Sequence, residues 1–243
     1  MLAAVCVIWI INIHSLRAST YGCDIFSNRF TVANGVFKDV CGSESVSTNS
    51  RNLNSNASVF PVTNGTVLNL SPLAIFDSYH FSIVIHGKRL PSTNNVPYDI
   101  ILGPGGNSQS ENCQIRYEDA NKLGIYCYYK ATTYWYPDIA LIFDVDELHT
   151  LILHYEDRNL QIYQNNQLIS TIFSAELDLA FGRIGGWFRD NSPADIGIVN
   201  IMFAFERSLQ EIRDFVEFCG LYQEHTEVVE ENPCWVDQTK LNV

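Results

Sequence analysis

From Gly65 onward the chain is written in short runs of β-branched, aliphatic and aromatic residues, punctuated by Pro, Gly, Asn and Ser, and this rhythm leaves few folds open. Residues 67–70, 81–86, 98–102, 114–117, 124–129, 139–145, 148–155, 160–163, 168–173, 181–187 and 196–205 each read as one strand. Connectors such as Pro91-Ser92-Thr93-Asn94-Asn95 and Gly103-Pro104-Gly105-Gly106-Asn107 separate them. Helical periodicity is convincing only late, where Ser208 can cap a helix, Glu211 sits at the capping-box position, and Leu209, Ile212, Phe215 and Val216 share a face. Many strands at short intervals and one late helix predict an all-β fold, an antiparallel jelly-roll sandwich, rather than alternating strand–helix units. Residues 43–58 (GSESVSTNSRNLNSNA) are poor in apolar side chains and read as a loop.

The cysteines place that sandwich in a compartment. Residues 1–18 combine an uncharged apolar block, Met1 to Ile13, with a small and polar stretch, and read as a cleaved signal peptide, with an uncleaved signal anchor as the alternative. Cys6 leaves with it. Cys23, Cys41, Cys113, Cys127, Cys219 and Cys234 remain, and six cysteines allow fifteen pairings. Their grouping by neighbours favours 23–41, 113–127 and 219–234, the second bridging two strands of one hairpin. With no Cys-x-x-Cys present, disulfides are preferred to a zinc ribbon. Sequons at Asn56 and Asn64 add an expectation of N-glycosylation, so the chain reads as secreted or surface-associated. A formal net charge of −12 repels phosphate backbones and excludes nucleic acid as an obvious partner. After the signal no run is apolar enough for a membrane span. Residues 19–218 form the expected sandwich, and residues 219–243 an acidic appendage held by 219–234.

Within the sandwich, residues 147–171 (ELHTLILHYEDRNLQIYQNNQLIST) resemble the central hairpin of laminin-G-like and pentraxin-like domains, members of the concanavalin A-like lectin/glucanase superfamily. His149 opens the first strand, Tyr163 sits in the second, and Asn165-Asn166 stands where the family usually has a turn containing Gly. Asn tolerates the left-handed backbone such a turn needs. Gly182-Arg183-Ile184-Gly185-Gly186 is similar to the family's Ile-Gly-Gly strand, and residues 194–212 to its closing strand and helix start. Residues 65–70 and 76–83 match its opening strands. The resemblance covers roughly residues 60–218 and implies a jelly roll that binds glycan or protein partners.

The chemistry available points to binding. Superfamily glycosidases carry alternating Glu and Asp on one strand, whereas Asp144-Val145-Asp146-Glu147 puts its Glu at the wrong parity and reads as a solvated turn. The expectation is no catalysis, with a divergent glycosidase and a structural component of an extracellular or viral surface complex as alternatives. No motif demands a cofactor. Calcium is the metal that loop-borne oxygen ligands would suit, with Asp138, Asp144 and Asp146 as candidate ligands. Six aromatics crowd into residues 126–136, and Tyr134, Trp135 and Tyr136 are the candidate ligand-binding residues, Trp135 at a loop tip. Trp187 and Arg189 form a second candidate loop. His80 and His86 share a strand face but lie about 20 Å apart along it, too far to share a metal. His149 and His154 have opposite parity, so the histidines read as structural.

Overall fold

The computed structural model describes residues 22–33, 36–42, 46–48, 59–62, 68–75, 80–91, 98–103, 111–118, 122–129, 132–142, 144–175, 179–185 and 195–221. They form fifteen strands and one helix. In chain order these are β1 (Asn28–Ala33), β2 (Val36–Asp39), β3 (Val46–Thr48), β4 (Phe60–Val62), β5 (Leu68–Ile75), β6 (His80–Arg89), β7 (Tyr98–Gly103), β8 (Glu111–Glu118), β9 (Lys122–Tyr129), β10 (Thr132–Ala140), β11 (His149–Glu156), β12 (Asn159–Gln164), β13 (Gln167–Ile172), β14 (Leu179–Ile184), β15 (Ile196–Phe205) and the helix α1 (Leu209–Phe218).

Two antiparallel sheets face each other. One runs β13-β12-β11-β6-β15-β1-β2, with β4 paired to the start of β15; the other runs β10-β9-β8-β7-β14-β5-β3. Alternation decides what each strand buries. Ile83, Ile85, Leu151, Leu153, Ile201 and Phe203 from the first sheet meet Ile115, Tyr117, Ile125 and Cys127 from the second in a common core. The opposite faces of β6, β11 and β15 offer Val84, Ile152 and Met202, and α1 covers them with Ile212, Phe215 and Val216 in a second cluster. Among the described residues, α1 therefore adds a third layer behind one sheet of the jelly-roll sandwich. Among the described residues no helix is long and apolar enough to cross a membrane.

Local chemistry sets the ends of these elements. Ser208 caps α1 and forms a reciprocal capping box with Glu211. Asn165 and Asn166 both have positive φ, 45° and 68°, in the β12–β13 turn. Cys113 lies opposite Cys127 in the β8–β9 register and is bonded to it, and Cys23 is bonded to Cys41. Cys219 is disulfide-bonded as well, to a residue outside the described set.

Three sequence-based strand readings require correction. Residues 43–58 are not all loop, because Val46–Thr48 pairs with β5. An edge strand needs backbone partners more than apolar side chains, and Val-Ser-Thr supplies only modest β-propensity. The run read at 139–145 is displaced, since the strand occupies Thr132–Ala140 and then leaves the sheet. Gln164 holds the departing chain: its Oε1 accepts from the Ile142 N–H at 2.8 Å and its Nε2 donates to the Ile142 carbonyl at 2.7 Å. The strand read at 181–187 begins at Leu179 and ends at Ile184, followed by Gly185 at φ 80°.

Candidate functional site

The outward face of the β7-β8-β9-β10 edge gathers a cation, a carboxylate and two aromatic rings: Arg116, Glu118, Tyr98 and Tyr126. Ile115, Tyr117, Ile125 and Cys127 point into the core, so Arg116 and Tyr126 between them point out. The Arg116 guanidinium lies 4.5 Å from the Tyr98 ring centroid and 6.0 Å from that of Tyr126. Its Nε donates to Glu118 Oε1 at 2.6 Å. These side chains are not free rotors: Arg116 is 14% exposed and Glu118 17%. Gly124 makes the arrangement possible. A Cβ there would stand 2.5 Å from Glu118 Oε1, so the carboxylate lies down over a residue with no side chain.

The aromatic run joins this face through register. Trp135 is set opposite Tyr126, Tyr134 opposite Cys127, and Tyr136 opposite Ile125. Trp135 is thus in an edge strand and not at a loop tip, because β10 pairs with β9 across this whole stretch. Tyr136 is half-buried against the common core. The side chains of Tyr134, Trp135 and Asp138 lie outside the described residues, as do Trp187, Arg189, Asn56, Asn64, Cys234, residues 1–18 and the appendage beyond Leu221.

The acidic turn after β10 is occupied with holding itself together. The Glu147 carboxylate accepts from the Asp144 N–H at 2.6 Å, Asp146 pairs with Lys88 at 2.7 Å, and the Asp146 N–H donates to the Arg89 carbonyl. Asp144 and Asp146 are both exposed. Next to this turn, a buried network crosses the sandwich. Asp99 accepts from Arg89 Nε at 2.8 Å and from the Asp195 N–H at 3.0 Å, while Arg89 Nη1 donates to the Glu118 carbonyl. Burial raises the Asp99 pKa, and these hydrogen bonds and the arginine charge oppose it. Tyr117 Oη and His149 Nε2 meet at 2.7 Å from opposite sheets. His149 Nδ1 lies 3.2 Å from the Glu147 carbonyl, which needs the Nδ1–H tautomer, so Tyr117 donates.

Sequence parity alone missed one cluster. His154 sits opposite Ser82, and Glu156 opposite His80, in the β6–β11 pairing. One ligating atom each from His80, His154 and Glu156 lies within 4.8 Å of the others. The visible signal was His154-x-Glu156, two metal-ligand types on one strand face; the third member required the register.

No protein-family model matches the sequence, nor does any curated protein sequence. Solved structures do match. A structure of botulinum neurotoxin type C, whose cell entry depends on interaction with two ganglioside molecules, aligns with a TM-score of 0.61 at 15% identity, covering 82% of this chain and 52% of that one. The binding domain of botulinum neurotoxin DC in complex with rat synaptotagmin II aligns with a TM-score of 0.58 at 15% identity and the same coverage. Trypanosoma rangeli sialidase in complex with sialic acid aligns with a TM-score of 0.51 at 13% identity, covering 78% of this chain and 32% of that one. The chain thus spans about half the length of the toxin structures and a third of the sialidase. At these identities the likeness establishes a shared β-sandwich.

Proposed function

We propose that the chain is a secreted, non-catalytic recognition module of laminin-G-like type that binds glycan through the outer face of the β7-β8-β9-β10 edge. The observation that carries this reading is Arg116 stacked against Tyr98 and Tyr126 and tied to Glu118. Aromatic faces suit the apolar faces of sugar rings, and a held guanidinium beside them suits hydroxyls or a sugar carboxylate. Trp135, at its register position opposite Tyr126, extends the same platform, while Tyr134 and Tyr136 take the register positions opposite the core residues Cys127 and Ile125 and would support it from behind. Trp187 and Arg189 are proposed as an accessory loop. Residues 1–18 serve as the signal, residues 19–218 as the module, and residues 219–243 as an appendage; Asn56 and Asn64 carry glycans. The ganglioside and sialic acid named for the toxin and the sialidase lend support for the glycan class.

Glycan-array binding of the secreted full chain tests the reading, with Trp135→Ala and Arg116→Ala beside it. Specific wild-type signals that both variants lose support it. An array with no specific signal sinks the glycan reading and leaves a protein partner at the same face, which pull-down with wild type and Arg116→Ala then tests.

A further inference from the structure

On the opposite sheet, we infer that His80, His154 and Glu156 form a binding site for a zinc-class transition-metal ion. His80 begins β6, and His154 and Glu156 alternate on β11, so antiparallel pairing places all three on the outer face of one sheet. His154 is buried, His80 is half-buried and Glu156 is exposed, a gradient that leads from the strand interior to solvent. Their ligating atoms lie within 4.8 Å of one another. Ligands about 2.0–2.1 Å from a tetrahedral ion stand roughly 3.3 Å apart. The separation of His154 Nε2 and Glu156 Oε2 is 3.4 Å, already at that spacing. Rotation of the His80 ring, which now meets His154 edge-on with centroids 5.3 Å apart, would close the remaining gap.

The supporting shell is present too. Ser82 Oγ lies 2.8 Å from His154 Nδ1 and fixes the ring. With Nδ1–H donating to that hydroxyl, the Nε2 lone pair faces Glu156 and is available to a metal. At His154, binding then needs only a tautomer change and a hydroxyl rotation, with no net loss of a proton from that ring. Two imidazoles and one carboxylate favour zinc and its neighbours over calcium or magnesium, which prefer all-oxygen sites. Three protein ligands leave a fourth position for water or an incoming donor group. An open surface cavity lined by Glu156, Asp157, Asn159 and Gln161 adjoins on the Glu156 side.

Calorimetric titration of the metal-stripped, disulfide-intact full chain with zinc chloride tests the site, with cobalt(II) as an optical probe of coordination. Wild type is expected to take up one equivalent of zinc. Cobalt should develop the intense visible absorption of a four-coordinate site, which zinc then displaces. Glu156→Gln and His80→Gln should each weaken zinc at least tenfold, Ser82→Ala roughly tenfold through ring orientation, and Asp146→Asn should change nothing. Glu156→Gln alters an exposed side chain, so the result does not depend on a variant failing to fold. Zinc uptake that is absent in wild type, or undiminished in both Glu156→Gln and His80→Gln, overturns the assignment. Because this site and the Arg116 platform lie on different sheets, glycan binding by a zinc-free chain separates the two readings.

Discussion

His149 should make the stability of this protein fall through the mildly acidic range, by an amount the structure sets. The ring is 1% exposed, held between the Tyr117 hydroxyl and the Glu147 carbonyl at the meeting of the two sheets. Protonation would place a charge in that core and require Tyr117 to turn its own proton away from Nε2. Burial accordingly pushes the His149 pKa down to about 4 from 6.5, although the Glu147 carbonyl and charge oppose the fall. Between those values the unfolded chain binds a proton that the native protein refuses, so stability rises with pH. It is present in full above about pH 6.5 and is lost at about 1.4 kcal/mol per pH unit below it, reaching a loss of about 3 kcal/mol near pH 4.

Urea unfolding under non-reducing conditions, from neutral pH down to about pH 4.5, measures this directly in wild type and His149→Gln. Glutamine keeps an acceptor for Tyr117 and does not titrate. Other groups that titrate in the window, including His154, whose pKa burial also lowers, are common to both proteins and cancel in the difference. Wild type is expected to lose about 2–3 kcal/mol more than the variant over that range. Parallel pH dependences in the two proteins would refute the claim that His149 is kept neutral by burial.

Asp99→Asn leaves Arg89 charged and uncompensated inside the sandwich and should cost about 3–5 kcal/mol in denaturant unfolding, whereas replacing both with apolar residues should cost far less. Ser208→Ala removes the cap of α1 and should lower unfolding stability by about 1 kcal/mol. Changing Cys113 and Cys127 together to Ala opens a short loop, with a sequence separation of 14, and should lower stability by about 3 kcal/mol. Gly124→Ala pushes a Cβ against the Glu118 carboxylate and Cγ and displaces that side chain from Arg116, so binding at the Arg116 platform should fall; unchanged glycan binding would show that the Glu118 carboxylate has no part in it.

Elements whose own side chains carry the signal were legible in the chain. The strand read at 196–205 is β15 to the residue, and the capped helix was visible in Ser208, Glu211 and the Leu209-Ile212-Phe215-Val216 stripe. The Asn165-Asn166 turn was readable because Asn tolerates the conformation it adopts. What escaped depends on partners distant in sequence. The pair β1 and β2 is held on β15, more than 160 residues away, and β3 rests on backbone pairing with β5. Trp135, flanked by Tyr136-Pro137, was read at a loop tip, yet a register shift between Tyr136 and Ile139 lets the strand run on past it. Alternation placed Arg116 and Tyr126 on one surface only once β8 and β9 were known to pair in register. The same limit hid His80 beside His154, since parity along β6 says nothing about which strand lies alongside.

Two segments nearly two hundred residues apart meet on the last turns of α1. Gly22 packs so closely on the Phe215 ring that a Cβ would stand 2.3 Å from it, and Phe26 meets the same ring edge-on at 4.9 Å. Leu221 donates its N–H to the Val216 carbonyl and accepts from the Thr150 hydroxyl through its own carbonyl. Both segments therefore rest on the last turns of α1, behind the sheet opposite the Arg116 platform. A change at Phe215 should therefore loosen residues 22–26 and the chain at Leu221 together, on the side of the sandwich away from the Arg116 platform.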